Sequence, residues 1–460
     1  MTCKVIRIGM FFDGTGNNLY NDSEGRSQNG LSNIAKLYKL YRDGETIKGQ
    51  KVTECQIVVK AIYIEGVGTK KNEKDYTTGL AFGSGGAQRI RLAINQVKEL
   101  LEKFPDDQYN QQIDVFGFSR GAAMARDFIN TLAKTGKKLN HQIKFVGLFD
   151  TVGSFGNPGD DYNWKPKQDT HKESDLKLII NERRGKTPSL ENYEAYNFNL
   201  APYSAEQIVH FVALDEYREN FPLTDTNGAG MTYAFIGAHS DVGGGYREIE
   251  TETVGIPPNR NMDLKSYEKQ LNQQEQNNLN SSIQQWTCHP PITAYMGRIA
   301  APAHCSATRI VGNALQDIAL IVMHKLAFHG LTKVPFRDIN PFPEMSNWTD
   351  ELKQYYYKAL NDLTNLKSYL NQDVAEDNGE TGNNREARSR IHLNILSKYG
   401  HNSSMVSCKE LNGANPLGLK NHITFSLDDL LAFKPRVVGE NRVFKRRIFN
   451  NKPALAIKKS

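Results

Sequence analysis

Apolar residues follow two rhythms along roughly the first 340 positions. Short, nearly continuous runs rich in Val, Ile and Phe occupy 5–12, 56–64, 113–116, 143–149, 208–214 and 231–236. Runs of this length predict strands, and the lack of polar alternation in several of them predicts strands covered on both faces. Between them, 31–41, 86–103, 122–134 and 308–328 carry apolar residues three and four apart, the spacing of one helix face. Alternation of the two rhythms predicts α/β architecture, a mostly parallel sheet covered by helices in the doubly wound manner.

Two polar stretches interrupt that alternation, about 160–205 and 248–308, the second holding the Gln/Asn-rich run 270–285. Insertions of this kind either cap a site or run as solvated excursions. Past about 340 the pattern changes: 350–370 reads as a helix rich in Tyr and Leu, and 373–384 as a charged, Gly/Asn-rich connection. The expected division is a catalytic domain over 1–340 and a C-terminal extension or small subdomain over 341–460. The last 25 residues hold eight Lys or Arg against the single acid Glu440, a tail expected on the solvated surface or on anionic lipid.

Composition narrows the class. A chain of 460 residues, 39% hydrophobic and 23% charged, builds one large or two ordinary domains with a full core. The net charge of +6 is modest for this length and comes with no nucleic-acid-binding signature. Cys3, Cys55, Cys288, Cys305 and Cys408 are scattered, odd in number and without Cys-x-x-Cys spacing, which argues against a disulfide scaffold and a zinc site and for synthesis in a reducing cytoplasm. The first residues run directly into a strand pattern without the features of a secretory signal. The longest apolar run, 318–323, falls far short of the roughly 20 residues that span a bilayer.

The chemistry concentrates at Gly117-Phe118-Ser119-Arg120-Gly121, placed between a strand pattern and a helix pattern. A Gly-x-Ser-x-Gly in that context reads as a nucleophile elbow, which lifts the serine hydroxyl to a helix N-terminus. A serine nucleophile needs a histidine base and an orienting carboxylate, in the chain order Ser, acid, His. His239 follows the last core strand and precedes Val242-Gly243-Gly244-Gly245, which places it at the carboxyl edge of the sheet; His304, His324 and His329 lie in or beside helical patterns. Three acids stand at or beyond strand ends, Asp150, Asp215 and Asp241. Asp241 is too near His239 in sequence to orient its ring from behind, and Asp150 and Asp215 remain open alternatives. The oxyanion hole is expected from the amide of Arg120 and from the loop after the first strand, at Gly14 and Thr15 in Phe12-Asp13-Gly14-Thr15-Gly16-Asn17-Asn18. That loop could instead cradle a phosphate, but it has neither the third glycine of a dinucleotide site nor the lysine of a P-loop. No metal set stands out; Asp160, Asp161, Asp225 and Glu248 lack calcium-loop spacing, and no cofactor is expected.

Six blocks taken in order resemble one bacterial family: Phe12-Asp13-Gly14-Thr15-Gly16-Asn17-Asn18, Glu65-Gly66-Val67-Gly68-Thr69, Gly117-Phe118-Ser119-Arg120-Gly121-Ala122, Phe149-Asp150-Thr151-Val152-Gly153, Leu214-Asp215-Glu216, and Gly237-Ala238-His239-Ser240-Asp241 through Tyr246. It is the family of α/β-hydrolase domains that includes the first group of type VI secretion lipase effectors. The resemblance spans about 4–340. It implies a phospholipase of the A type acting on acyl esters of membrane glycerophospholipids, with Ser119 as nucleophile, His239 as base and Asp150 favoured over Asp215. It further implies a spike or tube protein as carrier, an immunity protein in the producing cell, and delivery without a signal peptide into a competitor's periplasm. Two other readings keep the fold: a serine esterase on a soluble or cell-wall acyl ester, and an inactive hydrolase fold used as a binding module.

Overall fold

Strand β1 (Lys4–Phe12) sorts its side chains by parity. Ile6, Ile8, Met10 and Phe12 enter one half of the core, whereas Phe11 enters the other. Each fully buried side chain of this size contributes about 1.5–3 kcal/mol. Alternation of apolar residues on both faces makes β1 a central strand, and in the computed structural model it lies between two parallel neighbours. The structure describes residues 3–25, 29–48, 55–73, 85–135, 141–155, 159, 161–163, 196–256, 287–296, 299–339 and 348–364. It also describes short pieces at 395–396, 399–401, 409–411, 422–425, 437–438, 443–444 and 446–449.

The main sheet has seven strands. After β1 come the short helices α1 (Leu19–Ser23) and α2 (Asn33–Leu40), then β2 (Thr46–Lys48), β3 (Gln56–Ile64) and α3 (Gly86–Lys103). Strand β4 (Asn110–Phe118), helix α4 (Arg120–Thr135), β5 (His141–Phe149), β6 (Gln207–Ala213), β7 (Leu223–Thr224) and β8 (Met231–Phe235) follow. The spatial order is β2-β3-β1-β4-β5-β6-β8, with only β2 antiparallel. The strand order reverses between β1 and β4, so the crevice at their carboxyl ends is where a ligand is expected in an open α/β sheet.

Helices cover both faces. On one, α3 and α4 pack Ile90, Ile94, Val97, Met124, Phe128 and Leu132 over the even residues of β1. On the other lie α2, α6 (Ala314–His329) and α7 (Asp350–Thr364). Helix α6 is apolar nearly all round because it is buried nearly all round, from Leu315 to Ala327. None of the helices among the described residues is long and apolar enough to cross a membrane. Helix α7 places Leu352, Tyr355, Tyr356 and Ala359 in the same core as the sheet, so the described chain just past 340 shares the core of what precedes it. Arg7 is buried beneath this layer, and Asp114 takes two of its guanidinium hydrogen bonds at 2.7 Å.

Three sequence expectations are corrected. The helix expected over 308–328 begins at Ala314, because 308–312 complete strand β11 (Ile299–Gly312), where β-branched Thr308, Ile310 and Val311 pair with β9 (Ile249–Ile256). The polar stretch 248–308 is accordingly not a plain excursion: its described ends are β9, β10 (Thr287–Met296) and β11, which join β12 (Lys409–Leu411) and β13 (His422–Phe425) in a second sheet. The Gln/Asn-rich run, most of 160–205 and the connection 373–384 lie outside the described residues. Finally, Cys3 and Cys55 form a disulfide. The parallel register of β1 on β3 sets Lys4 against Gln56 and therefore brings together two thiols separated by 52 residues in sequence.

Candidate active site

The parallel register aligns the strand ends. Phe12 lies beside Gly117, Phe118 beside Phe149, and Phe149 beside Phe211. The residues that follow these ends, Asp13, Ser119 and Asp150, therefore emerge along one edge of the sheet. Ser119 and Asp150 both adopt left-handed backbone conformations, at φ 57° and 42°. Non-glycine residues seldom do so, and when they do in a βα turn the strain is held by the surroundings. At Ser119 the hold is explicit: its amide donates to the Phe149 carbonyl at 3.0 Å, and its carbonyl accepts from Val152 and Ala123, each at 3.2 Å. Gly121 completes the elbow, because a Cβ there would stand 2.4 Å or less from the carbonyl oxygens of Phe12 and Asp13.

His239 begins a short helix, α5 (His239–Gly243), just past β8. Its backbone amide donates to Glu216 at 3.1 Å, and Glu216 is in turn locked to Arg218 through three hydrogen bonds. The imidazole lies against Phe118, with ring centroids 4.7 Å apart, and edge-on to Phe221 at 5.0 Å. Its Nδ1 meets Asp150 Oδ2 at 2.5 Å. That contact fixes the tautomer and leaves Nε2 as the basic nitrogen. Burial lowers the imidazole's pKa, opposed by Asp150, so the ring is a neutral base at physiological pH.

Of the acids expected from the sequence, the structure brings Asp150 to His239. Its carboxylate also accepts from the Ala213 amide at 2.8 Å and from both terminal nitrogens of Arg446 at 2.7 Å. Burial alone would raise its pKa; Arg446 and His239 overcome that and hold it below the ordinary carboxylate range. Asp215 is placed elsewhere, taking the Gly237 amide at 2.8 Å and the Tyr217 hydroxyl at 3.3 Å, and so staples the chain just ahead of His239. Asp241 accepts from the Ala238 amide and from His401 Nδ1, at 2.8 and 2.6 Å.

The loop after β1 is built around Asp13. This buried carboxylate takes the Gly14 amide at 2.7 Å and the Tyr63 hydroxyl at 2.5 Å. Burial nevertheless pushes its pKa up to about 6, with Ser32, Tyr63 and Gly14 pulling the other way. Gly14, expected as an oxyanion donor, thus has its N–H turned to Asp13. Thr15 stands next to the elbow, its hydroxyl accepting from the Arg120 guanidinium at 3.1 Å. Arg120 opens α4, where first-turn amides have no intrahelical acceptor. The block Glu65 to Thr69 supports the same loop: Gly66 donates to Asn17 and Gly16 to Val67, both at 3.0 Å, and Asn18 reaches Glu65 and Thr69.

Sequence reasoning missed Glu216, Arg218, His401 and Arg446. Glu216 stood inside a quoted block without a role, and Arg446 inside a basic tail read only for its charge. Nothing local marks either, since each acts through a partner distant in sequence. Among the described residues, no group of three or more His, Cys, Asp and Glu side chains is placed to hold a metal ion.

A serine on a strand-elbow-helix turn, with a His–Asp pair that follows later strands at the same carboxyl edge of a parallel sheet, is the arrangement of the α/β-hydrolase fold. The catalytic-domain family of Tle1-like type VI secretion phospholipase effectors matches residues 7–138 and 128–266, and the chain belongs to that family. A solved structure of the Tle1 effector bound to the VgrG spike shares the fold at 20% identity, with a TM-score of 0.60 over 97% of this chain and 94% of that one. An uncharacterised protein from Pseudomonas aeruginosa is more remote, at 19% identity and a TM-score of 0.43 over 78% of this chain and 51% of its own. No curated protein matches the chain.

Proposed function

We propose that this effector is a phospholipase of the A type that cleaves acyl esters of membrane glycerophospholipids through Ser119, His239 and Asp150. The observation that carries the reading is the 2.5 Å contact of His239 with Asp150, at the strand end beside the Ser119 elbow. Ser119 Oγ attacks the ester carbonyl as its proton passes to His239 Nε2, and Asp150 stabilises the imidazolium. The amides of Arg120 and Thr15 face the developing oxyanion, Gly14 being engaged by Asp13. His239 then protonates the departing lysophospholipid oxygen. Water, deprotonated by the same nitrogen, releases the fatty acid and restores the serine. Family membership and the VgrG-bound relative support a spike protein as carrier; action in the target periplasm and an immunity protein in the producer complete the proposal.

Ser119→Ala tests it with full-length protein on phosphatidylethanolamine/phosphatidylglycerol vesicles. Fatty-acid release should fall by about 10⁴-fold or more while the thermal melt is retained. Hydrolysis at wild-type rate by the folded variant would remove Ser119 from the mechanism.

A further inference from the structure

Asp150 is gripped from the far end of the chain. Arg446 closes a fork on the carboxylate, Nη1 to Oδ1 and Nη2 to Oδ2, both at 2.7 Å. Its Nε donates to the Phe221 carbonyl at 2.9 Å, and Nη1 also reaches the Ala213 carbonyl at 3.3 Å. The side chain is 8% exposed and makes four hydrogen bonds within the protein, which withdraws it from the solvated surface expected of a basic tail. Delivery is by a strap: β14 (Ile448–Phe449) pairs in parallel with β7, with Leu223 donating to Arg447 and Asp225 to Phe449. Strand β7 is tied in turn to the segment after the acid, Thr224 to the Thr151 carbonyl at 2.9 Å and Gly153 to the Thr224 hydroxyl at 3.1 Å. The strap thus seats itself on the loop that carries Asp150.

We propose that Arg446 is a positioning residue, and that the C-terminal strap completes the acid–base half of the site by locking Asp150 against His239. The inference rests on the triad reading above. Asp150 shares its Oδ2 between His239 and Arg446, so the same oxygen that orients the imidazole is itself fixed by the fork. A bidentate guanidinium supplies direction as well as charge, which an ammonium cannot. The charged and titratable groups around the pair are His210 from β6, Glu216 and Arg218 from the segment after β6, and Arg446 from the strap. Removing Arg446 takes one positive charge from this set, which favours the protonated imidazole and moves the acidic limb of the rate profile to higher pH.

The test compares Arg446→Met and Arg446→Lys in the full chain, with kcat and KM measured against pH on phosphatidylethanolamine/phosphatidylglycerol vesicles, alongside thermal melts. R446M should lose about 10–100-fold in kcat, the scale of losing a partner that orients a reacting side chain, with KM changed less than about twofold. Its acidic limb should move to higher pH. R446K should return the limb close to wild type while recovering only part of kcat. The proposal is overturned if folded R446M keeps wild-type kcat, if its kcat falls with an unmoved limb, or if R446K equals wild type. Should R446M fail to fold, R446K alone decides by the same criterion. Ser119→Ala run in parallel separates the two readings: hydrolysis by S119A removes the triad, whereas inactive S119A with unaffected R446M removes only the strap's role.

Discussion

Replacing Asp150 with Asn preserves the shape of the side chain and changes what it can accept. The native carboxylate takes four hydrogen bonds, two on each oxygen, from Ala213, Arg446 and His239. Asparagine offers one acceptor oxygen and a donor NH₂. If the NH₂ faces His239, it meets Nδ1–H with N–H and drives the proton to Nε2, the nitrogen that must receive the serine's. If it faces the other way, it meets Arg446 and the Ala213 amide donor against donor. The catalytic loss expected from a wrong tautomer is about 10⁴-fold in kcat, or about 5.4 kcal/mol of barrier. Stability also falls, because Arg446 keeps a buried charge whose partner is gone, at a cost of about 3–5 kcal/mol. Fatty-acid release from vesicles measures the first effect and a urea unfolding curve the second. Asp215→Asn is the control: it loses one acceptor to Gly237 or Tyr217 and leaves the imidazole contact intact, so kcat should stay within about tenfold of wild type. D150N within tenfold of wild type, or D215N as damaged as D150N, would refute the assignment of the acid.

Two further outcomes are expected. Gly121→Ala should destabilise the fold by several kcal/mol, because its new methyl meets backbone oxygens at 2.3 and 2.4 Å that cannot rotate away; a wild-type melt would show that the elbow and the β1 loop are not in this contact. Stability should decline as pH drops below about 6.5. His210 and His324 are held neutral by burial, at about 3 and about 4, so between those values and the unfolded value only the unfolded chain binds the proton. Each contributes on the order of 3 kcal/mol of loss by pH 4 at 1.36 kcal/mol per unit. Asp13 acts with the opposite sign, since its raised value of about 6 lowers stability as pH rises through that range. Urea midpoints that do not change from pH 7 to pH 4 would contradict the histidine assignment.

The strands and the elbow were legible because their causes are local. Continuous β-branched runs encode buried parallel strands, and Gly117 and Gly121 flank Ser119 where strand and helix must approach closely. The same locality put His239 on a turn beyond the last core strand. Other features had no local cause. Residues 308–312 fit a helix by spacing and became strand because β9 lay alongside them. Asp150 and Asp215 follow adjacent parallel strands and look equivalent in sequence. Their roles part only when the folded chain turns one carboxylate to the imidazole and the other to the Gly237 amide.

The sequence by itself determined the α/β order and marked the elbow serine and the histidine after the last core strand as candidates, since each is written in residues within a few positions of it. Tertiary structure alone decided which carboxylate meets His239, the turn of the Gly14 N–H to Asp13, and the arrival of Arg446 from 296 residues away. A hydrogen bond depends on direction at distances near 3 Å, and direction between remote segments exists only once the sheet register and the strap have brought them together.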